Sequence, residues 1–413
     1  IEYDGKTLTL AQLEPYHTDV KAEVRRSSWN VRAAWFETHK ERLDSLFDEL
    51  VRVRTKMAET LGYKNYIELG YYLMTRNCYD ADMVAKFRAG VKKYIVPLAE
   101  TVKAQQAKRL GVDHITLYDN AFEFPDGNAK PKGTPEEIFA AGKRMYHELS
   151  AETAEFIDFM LENELLDVLT RKGKSGGGYC CEIPLYDSQF IFANFNGTSG
   201  DVDVFTHEAG HAFAGYRSRD VRPYELANQL TYEVAETHSM SMEFFTHPWM
   251  ELFFGEQTEK YHYSHLSDAL VFIPYGTMVD EFQHIVYENP ELTPAQRNDV
   301  WKELESVYRP YLDQSEVAFY REGRRWQAQS HIYERPFYYI DYCLAQTNAL
   351  AFWTLDGKDH ADAWDKYMKF VSLAGKKTFT ELNEIAGVGS PFDELSLKET
   401  AEAAAKWLEE HKI

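Results

Sequence analysis

The 413 residues predict a mainly α-helical fold interrupted by one short β region, and three observations carry that reading. Long stretches repeat apolar residues at helical spacing. Several of these stretches open on a capping signature. Aromatic and β-branched residues bounded by Asn and Gly gather between Lys172 and Gly200.

The first long element is RRSSWNVRAAWFETHKERLDSLFDELVRVRTKMAETLG, Arg25 to Gly62, amphipathic, rich in helix formers and stopped by its glycine. A second, Asp80 to Gly111, has the same character but contains Pro97, which predicts a break or kink just before it. Thr134–Glu137, Thr293–Gln296 and Ser396–Glu399 each read as a capping box opening a helix. GKSGGG, Gly173 to Gly178, predicts a flexible loop. It is not a phosphate loop, because the glycine required five residues before Gly173 is Val168. YCCEIPLYDSQFIFANFNGTSG, Tyr179 to Gly200, then reads as strands, with Asn196-Gly197-Thr198 as a turn. The chain is long enough for two or three domains. It is divided here into a helical region, 1–170, and a catalytic region with C-terminal helices, 171–413.

A formal net charge of −21 excludes nucleic acid as a partner, since phosphate binding needs clustered Lys and Arg. The same sign disfavours anionic membrane surfaces, and no apolar run is long enough to span a bilayer. Cys78, Cys180, Cys181 and Cys343 form no CxxC pair, which suits buried thiols in a reducing, cytoplasmic compartment. No signal peptide is visible, and a chain opening on Ile1 rather than Met is expected to have lost an upstream segment. Nothing in the sequence sets an oligomeric state.

The chemistry is concentrated in DVFTHEAGHAFAGY, Asp203 to Tyr216. His207 and His211 stand four residues apart and stack on one helical face, so both imidazoles can reach one metal ion. Glu208 lies about 100° around the helix, which sets its carboxylate beside the metal's open position. A catalytic zinc wants a third protein ligand. LANQLTYEVAETHSMSMEFF, Leu226 to Phe245, is helix-compatible and offers Glu233, Glu236 and Glu243 among apolar and small neighbours. Spacing alone does not choose between them.

HEAGH followed by ETHSMSME resembles the thimet oligopeptidase and oligoendopeptidase F family of zinc metallopeptidases, with its H-E-x-G-H and later E-x-x-S-x-x-x-E. FANFNGTSGDVDVFTHE and SHIYERPFYYIDYCLA also match, and the likeness is strongest from Tyr179 to Ala345. The resemblance implies a helical two-lobed metallopeptidase with a deep substrate cleft and a small β-sheet beside the zinc helix. It implies one Zn²⁺ per chain, held by His207, His211 and Glu236, with Glu243 orienting a ligand histidine. It also implies that His331 and Tyr342, with Tyr338 and Tyr339 as further candidates, serve the transition state.

Three features depart from the family's pattern: Ala214 where a histidine often stands, His238 where a small residue or proline is usual, and a start at Ile1 inside the N-terminal lobe. His238 is read as a surplus core histidine.

The expected activity is hydrolysis of oligopeptides by a zinc-activated water with Glu208 as general base. Tyr342 and His331 are the expected donors to the oxyanion. The strand Phe190–Phe195 is expected to lie along an extended peptide and pair with its backbone, through Phe190, Phe192 and Asn194. A metallocarboxypeptidase using Arg324, Arg325 or Arg335 for the terminal carboxylate is the alternative. A catalytically silent peptide-binding protein is a second.

Overall fold

The computed structural model describes residues 1–218 and 230–413. A small hairpin, β1 (Glu2–Tyr3) and β2 (Lys6–Thr7), leads into α1 (Leu10–His17), which Thr9 opens with a capping box. α2 (Ala22–Thr60) is the first long predicted helix, begun three residues before Arg25. It stops where Gly62 takes a φ of +86°, a left-handed conformation that costs glycine little. α3 (Tyr66–Leu73) follows.

The predicted break before Pro97 takes a specific form. α4 (Ala81–Gly90) passes into a π-helical turn, Val91–Ile95, before α5 (Val96–Leu110) resumes. The proline lacks an N–H and its ring crowds the preceding turn, and the widened turn accommodates both.

β3 (Ile115–Thr116) pairs parallel with β7 (Leu312–Asp313), a contact across nearly two hundred residues. α6 (Pro135–Leu149) carries the capping box expected at Thr134 and Glu137, and α7 (Ala151–Glu162) follows directly.

The β region is a three-stranded sheet of β4 (Leu166–Leu169), β5 (Tyr179–Ile183) and β6 (Ser188–Phe195), in the order β4-β6-β5. This corrects the expectation that the strand Phe190–Phe195 pairs with a peptide. β6 is the middle strand, parallel to β4 on one side and, through Ser188–Phe192, antiparallel to β5 on the other, so that stretch offers no open edge to a peptide. β4 is the element that changes the outcome, and its four residues gave no strand signal. Phe192 stacks on Tyr179 with ring centroids 4.8 Å apart, beneath the Lys174 ammonium. Asn194 donates from Nδ2 to the carbonyls of Ser175 and Gly177, tying down the glycine loop. Gly197 has a φ of +86°, and the Asp201 carboxylate accepts from the N–H groups of Asn196 and Gly197, which makes the expected turn.

α8 (Gly200–Ser218) carries the HEAGH motif, and α9 (Tyr232–Phe245) carries the glutamates. Residues 226–229, the start of the stretch predicted as helix-compatible, lie outside the described residues. The two helices touch at Gly210. A Cβ built there would lie 2.6 Å from the Ser239 Cα and 2.8 Å from the His238 carbonyl oxygen, so no larger residue permits this approach. Ala214 is buried on the core side of α8.

Beyond them run α10 (Glu251–Phe254), α11 (Thr258–Glu288), α12 (Pro294–Tyr308) with its Thr293 capping box, α13 (Ala318–Arg321) and α14 (Ser330–Glu334). α15 (Tyr339–Asp356) packs on α9 and α11, and α16 (His360–Leu373), α17 (Phe379–Ala386) and α18 (Glu394–Glu410) close that side. α18 starts two residues ahead of the predicted cap. Asp393 accepts from the Ser396 N–H at 2.8 Å, so the carboxylate takes the capping role and Ser396 falls in the first turn. Buried side chains from Phe47 to Leu408 form one continuous apolar core, so residues on both sides of position 170 share an interior. Among the described residues, no helix is long and apolar enough to cross a membrane.

Candidate active site

α8 and α9 bring His207, His211 and Glu236 together, with their ligand-type atoms all within 4.8 Å of one another. Nε2 of His207 lies 3.2 Å and Nε2 of His211 lies 3.4 Å from the same oxygen, Oε2 of Glu236. The His207 ring is turned by its other nitrogen, since Nδ1 lies 2.6 Å from Oε1 of Glu243. A carboxylate can only accept, so Nδ1 carries a proton and leaves Nε2 to face Glu236. Two imidazoles gathered on one carboxylate oxygen need positive charge among them, as a shared proton or a metal ion. Burial disfavours a charged His207, yet Glu236 and Glu243 outweigh it and hold the pKa well above the ordinary histidine value. Burial likewise opposes ionisation of Glu236, while His211 and His207 hold its carboxyl below the usual range. The donor set, two imidazoles and one carboxylate, is that of a catalytic zinc site, and its electrostatics call for a cation.

Glu236 is fixed by two further partners: Ser239 Oγ donates to Oε2 at 3.2 Å, and the Tyr338 hydroxyl donates to Oε1. Ser239 sits one turn beyond Glu236 in the E-x-x-S pattern, so the signal for it was present in the sequence. Glu243 is held in turn by His265 of α11, whose Nε2 lies 2.7 Å from Oε2. His265 had no such signal, because α11 reaches the site only through the packing of distant segments. Glu233, the third candidate, faces elsewhere, with Oε2 3.4 Å from the Tyr79 hydroxyl.

Glu208 is 5% exposed, and its Oε2 has no hydrogen-bond partner. Burial raises its pKa, against the pull of His207 and His211. Gly178 makes room for it, since a Cβ there would lie 3.3 Å from Oε1. A cavity of about 1010 Å³ opens over these groups, with His207, Glu208, His211 and Glu236 on one side and His331, Tyr338 and Tyr342 on another.

Tyr338 and Tyr342 pack together with centroids 4.7 Å apart. Burial and the Glu236 carboxylate raise both phenols above their ordinary value, so both stay protonated. Burial lowers the His331 pKa, against Glu334 and Glu236, which keeps the ring neutral at neutral pH. Tyr339 is not part of the cavity wall; its ring packs on Phe272 and Tyr275 of α11. Phe190, Phe192 and Asn194 are also outside the wall, while Gly178, Tyr179 and Cys180 at the start of β5 line it.

His238 is fully buried, with its ring edge-on to Phe370 and neither ring nitrogen hydrogen-bonded. Of the three arginines considered for a terminal carboxylate, Arg324 pairs with Asp44 and Glu322, and Arg325 lies over the Tyr275 ring. Arg335 lines the cavity and donates to the Tyr232 hydroxyl.

Residues 16–401 match the model of peptidase family M3. Oligopeptidase PepF of Bacillus subtilis (strain 168) is 23% identical over 394 residues, which cover 94% of this chain and 56% of the relative. The chain therefore spans little more than half the length of that curated relative. Among solved structures, PZ peptidase A with inhibitor 2 superposes with a TM-score of 0.96 at 47% identity, covering 99% of this chain and 72% of that one. A Bacillus anthracis str. Ames protein assigned to oligoendopeptidase F superposes at 0.90 and 46% identity, covering 100% and 72%. Because the family match takes in most of the chain, from before α2 into α18, the chain belongs to peptidase family M3.

Proposed function

We propose that this chain is a zinc-dependent endopeptidase that hydrolyses oligopeptides. The observation that carries the proposal is the convergence of His207, His211 and Glu236 within 4.8 Å, with the unpartnered Glu208 carboxylate beside them at a cavity. His207 and His211 through Nε2, and Glu236 through Oε2, would hold the ion. Zinc, when bound, polarises a carbonyl and makes a water nucleophilic near neutral pH.

The chain's own groups then have distinct tasks. Glu208 takes the water proton on its free Oε2 and passes it to the leaving amine. Tyr342 and His331 donate to the oxygen on which charge develops, and both are neutral donors. Glu243 keeps the His207 proton on Nδ1 and so keeps Nε2 available. The start of β5, rather than β6, supplies the strand along which a peptide backbone extends, which gives affinity with little sequence preference. Tyr339 supports the aromatic wall behind these groups.

The test is metal analysis together with Glu208→Gln. One zinc per chain, with kcat lowered by about 10²–10⁴-fold in the variant and zinc retained, supports the reading. A variant that hydrolyses peptides at the wild-type rate sinks it. Arg335 keeps a carboxypeptidase reading in view, and matched peptides with free and amidated C-termini separate the two. An endopeptidase cleaves both forms, whereas a carboxypeptidase requires the free carboxylate.

A further inference from the structure

We propose that Gln329 is a positioning residue that holds His331 in the tautomer protonated on Nε2, so that this N–H is the donor presented to the cavity. The proposal rests on the reading of His331 as an oxyanion donor and adds the group that prepares it.

Nε2 of Gln329 lies 2.8 Å from Nδ1 of His331. An amide nitrogen has hydrogens and no usable lone pair, so it can only donate. Nδ1 must therefore accept, and in a neutral imidazole the single proton is then on Nε2. The opposite tautomer would set two N–H groups against each other across this contact.

What keeps the amide from turning over is on its other side. The Tyr275 hydroxyl lies 2.7 Å from Oε1 of Gln329 and donates to it. Turned over, the amide would set its carbonyl against His331 and its NH₂ against Tyr275, which would have to accept instead. The guanidinium carbons of Arg325 and Arg309 lie 4.9 and 5.2 Å from the Tyr275 ring centroid. Positive charge on that ring favours the phenol as donor over acceptor. Tyr275 is itself set on a long helix, with its ring edge-on to Tyr339 and Trp301.

The three residues thus form a directed chain: the Tyr275 hydroxyl to the Gln329 carbonyl, the Gln329 amide to His331 Nδ1, and His331 Nε2–H outward. His331 lines the cavity and stands edge-on to Tyr339 and Tyr342, at centroid distances of 5.0 and 5.9 Å. Without the amide donor the ring can move its proton to Nδ1, and the nitrogen left facing the cavity would repel a developing oxyanion.

The tautomer can be read directly. In the zinc-loaded chain labelled with ¹⁵N-histidine, the His331 signals are those lost in His331→Gln. The expected result at neutral pH is a pyridine-type shift at Nδ1 and a pyrrole-type shift at Nε2. Gln329→Leu and Tyr275→Phe should both move the pair toward the opposite tautomer. Both should lower kcat for a short peptide by roughly tenfold or more, with KM within about twofold. Thermal melts of both variants establish that they fold. A wild-type His331 carrying its proton on Nδ1, or a tautomer unmoved by Gln329→Leu, overturns the proposal. A tautomer that moves while kcat stays constant overturns the positioning role, and loss of activity in Glu208→Gln would still stand for the hydrolytic reading. A wild-type chain that cleaves no peptide defeats that reading, and the nitrogen shifts still decide the tautomer.

Discussion

At the scale of single residues, burial keeps several histidines of this protein uncharged, His238 and His331 among them. His17 is the plainest case outside the cavity. It is 5% exposed, stacks on Trp29 at 4.3 Å, and meets Ser28 Oγ at Nδ1, while Nε2 has no partner. Burial, helped by Arg32, pulls its pKa down to about 3. The unfolded chain, with an ordinary value near 6.5, takes up the proton first, so stability is lost as pH falls from about 6.5 toward 3. At pH 5 this one group costs about 2 kcal/mol. His17→Phe keeps the ring stack and removes the titration. In urea unfolding, the advantage of wild type over the variant should therefore shrink, or reverse, between pH 7 and pH 5. An unchanged difference would mean that the ring is not neutral and buried as described.

At the scale of elements, the site depends on how closely helices approach and how loops are braced. Gly210→Ala would gain about 1 kcal/mol in an ordinary helix. Here the added carbon meets the backbone of α9, which cannot rotate away, and overpacking costs about 1–3 kcal/mol. The expected outcome is a lower Tm together with weaker zinc retention against a chelator, because α8 carries two of the proposed ligands and α9 the third.

A second brace joins the connection between α3 and α4 to the tyrosine segment. The Arg76 guanidinium donates to the Phe337 carbonyl and, at 3.0 Å, to Asp341, and both ionic side chains are fully buried. Phe337 has a φ of +69° and Thr75, beside Arg76, a φ of +58°, conformations that non-glycine residues adopt only when the surroundings hold them. Burial pushes the Asp341 carboxyl up to about 7, although Arg76 opposes this. Arg76→Met leaves that carboxyl without its cation, and urea unfolding should register a loss of about 3–5 kcal/mol.

At the scale of the whole molecule, the proposed metal and the fold should be thermodynamically linked, because the proposed ligands come from two helices that only the folded chain brings together. Free zinc at a thousandfold excess over its Kd stabilises the chain by about 4 kcal/mol. Calorimetry should show a lower Tm after chelation, restored by zinc, and no chelator effect in His207→Phe. A wild-type Tm indifferent to chelation would argue against a bound ion.

Much of this architecture was legible in the residues, for reasons of range. Capping at Thr134 and Thr293, the break before Pro97, and the placing of His207 and His211 on one helical face are settled within one or two helical turns. Neighbours close in sequence therefore determine them. Three other features were decided only by the tertiary structure. The first is why Glu236 meets the imidazoles: spacing left Glu233, Glu236 and Glu243 open, the family resemblance implied Glu236, and the packing on each supplies the physical reason. The second is which strand is an edge, since β4, with no strand signal, makes β6 the centre. The third is how the partners that orient His207 and His331 are themselves held, since His265 and Tyr275 reach Glu243 and Gln329 from α11. A helix or a cap depends on a few adjacent dihedrals, whereas a buried hydrogen bond depends on where remote segments of chain come to rest.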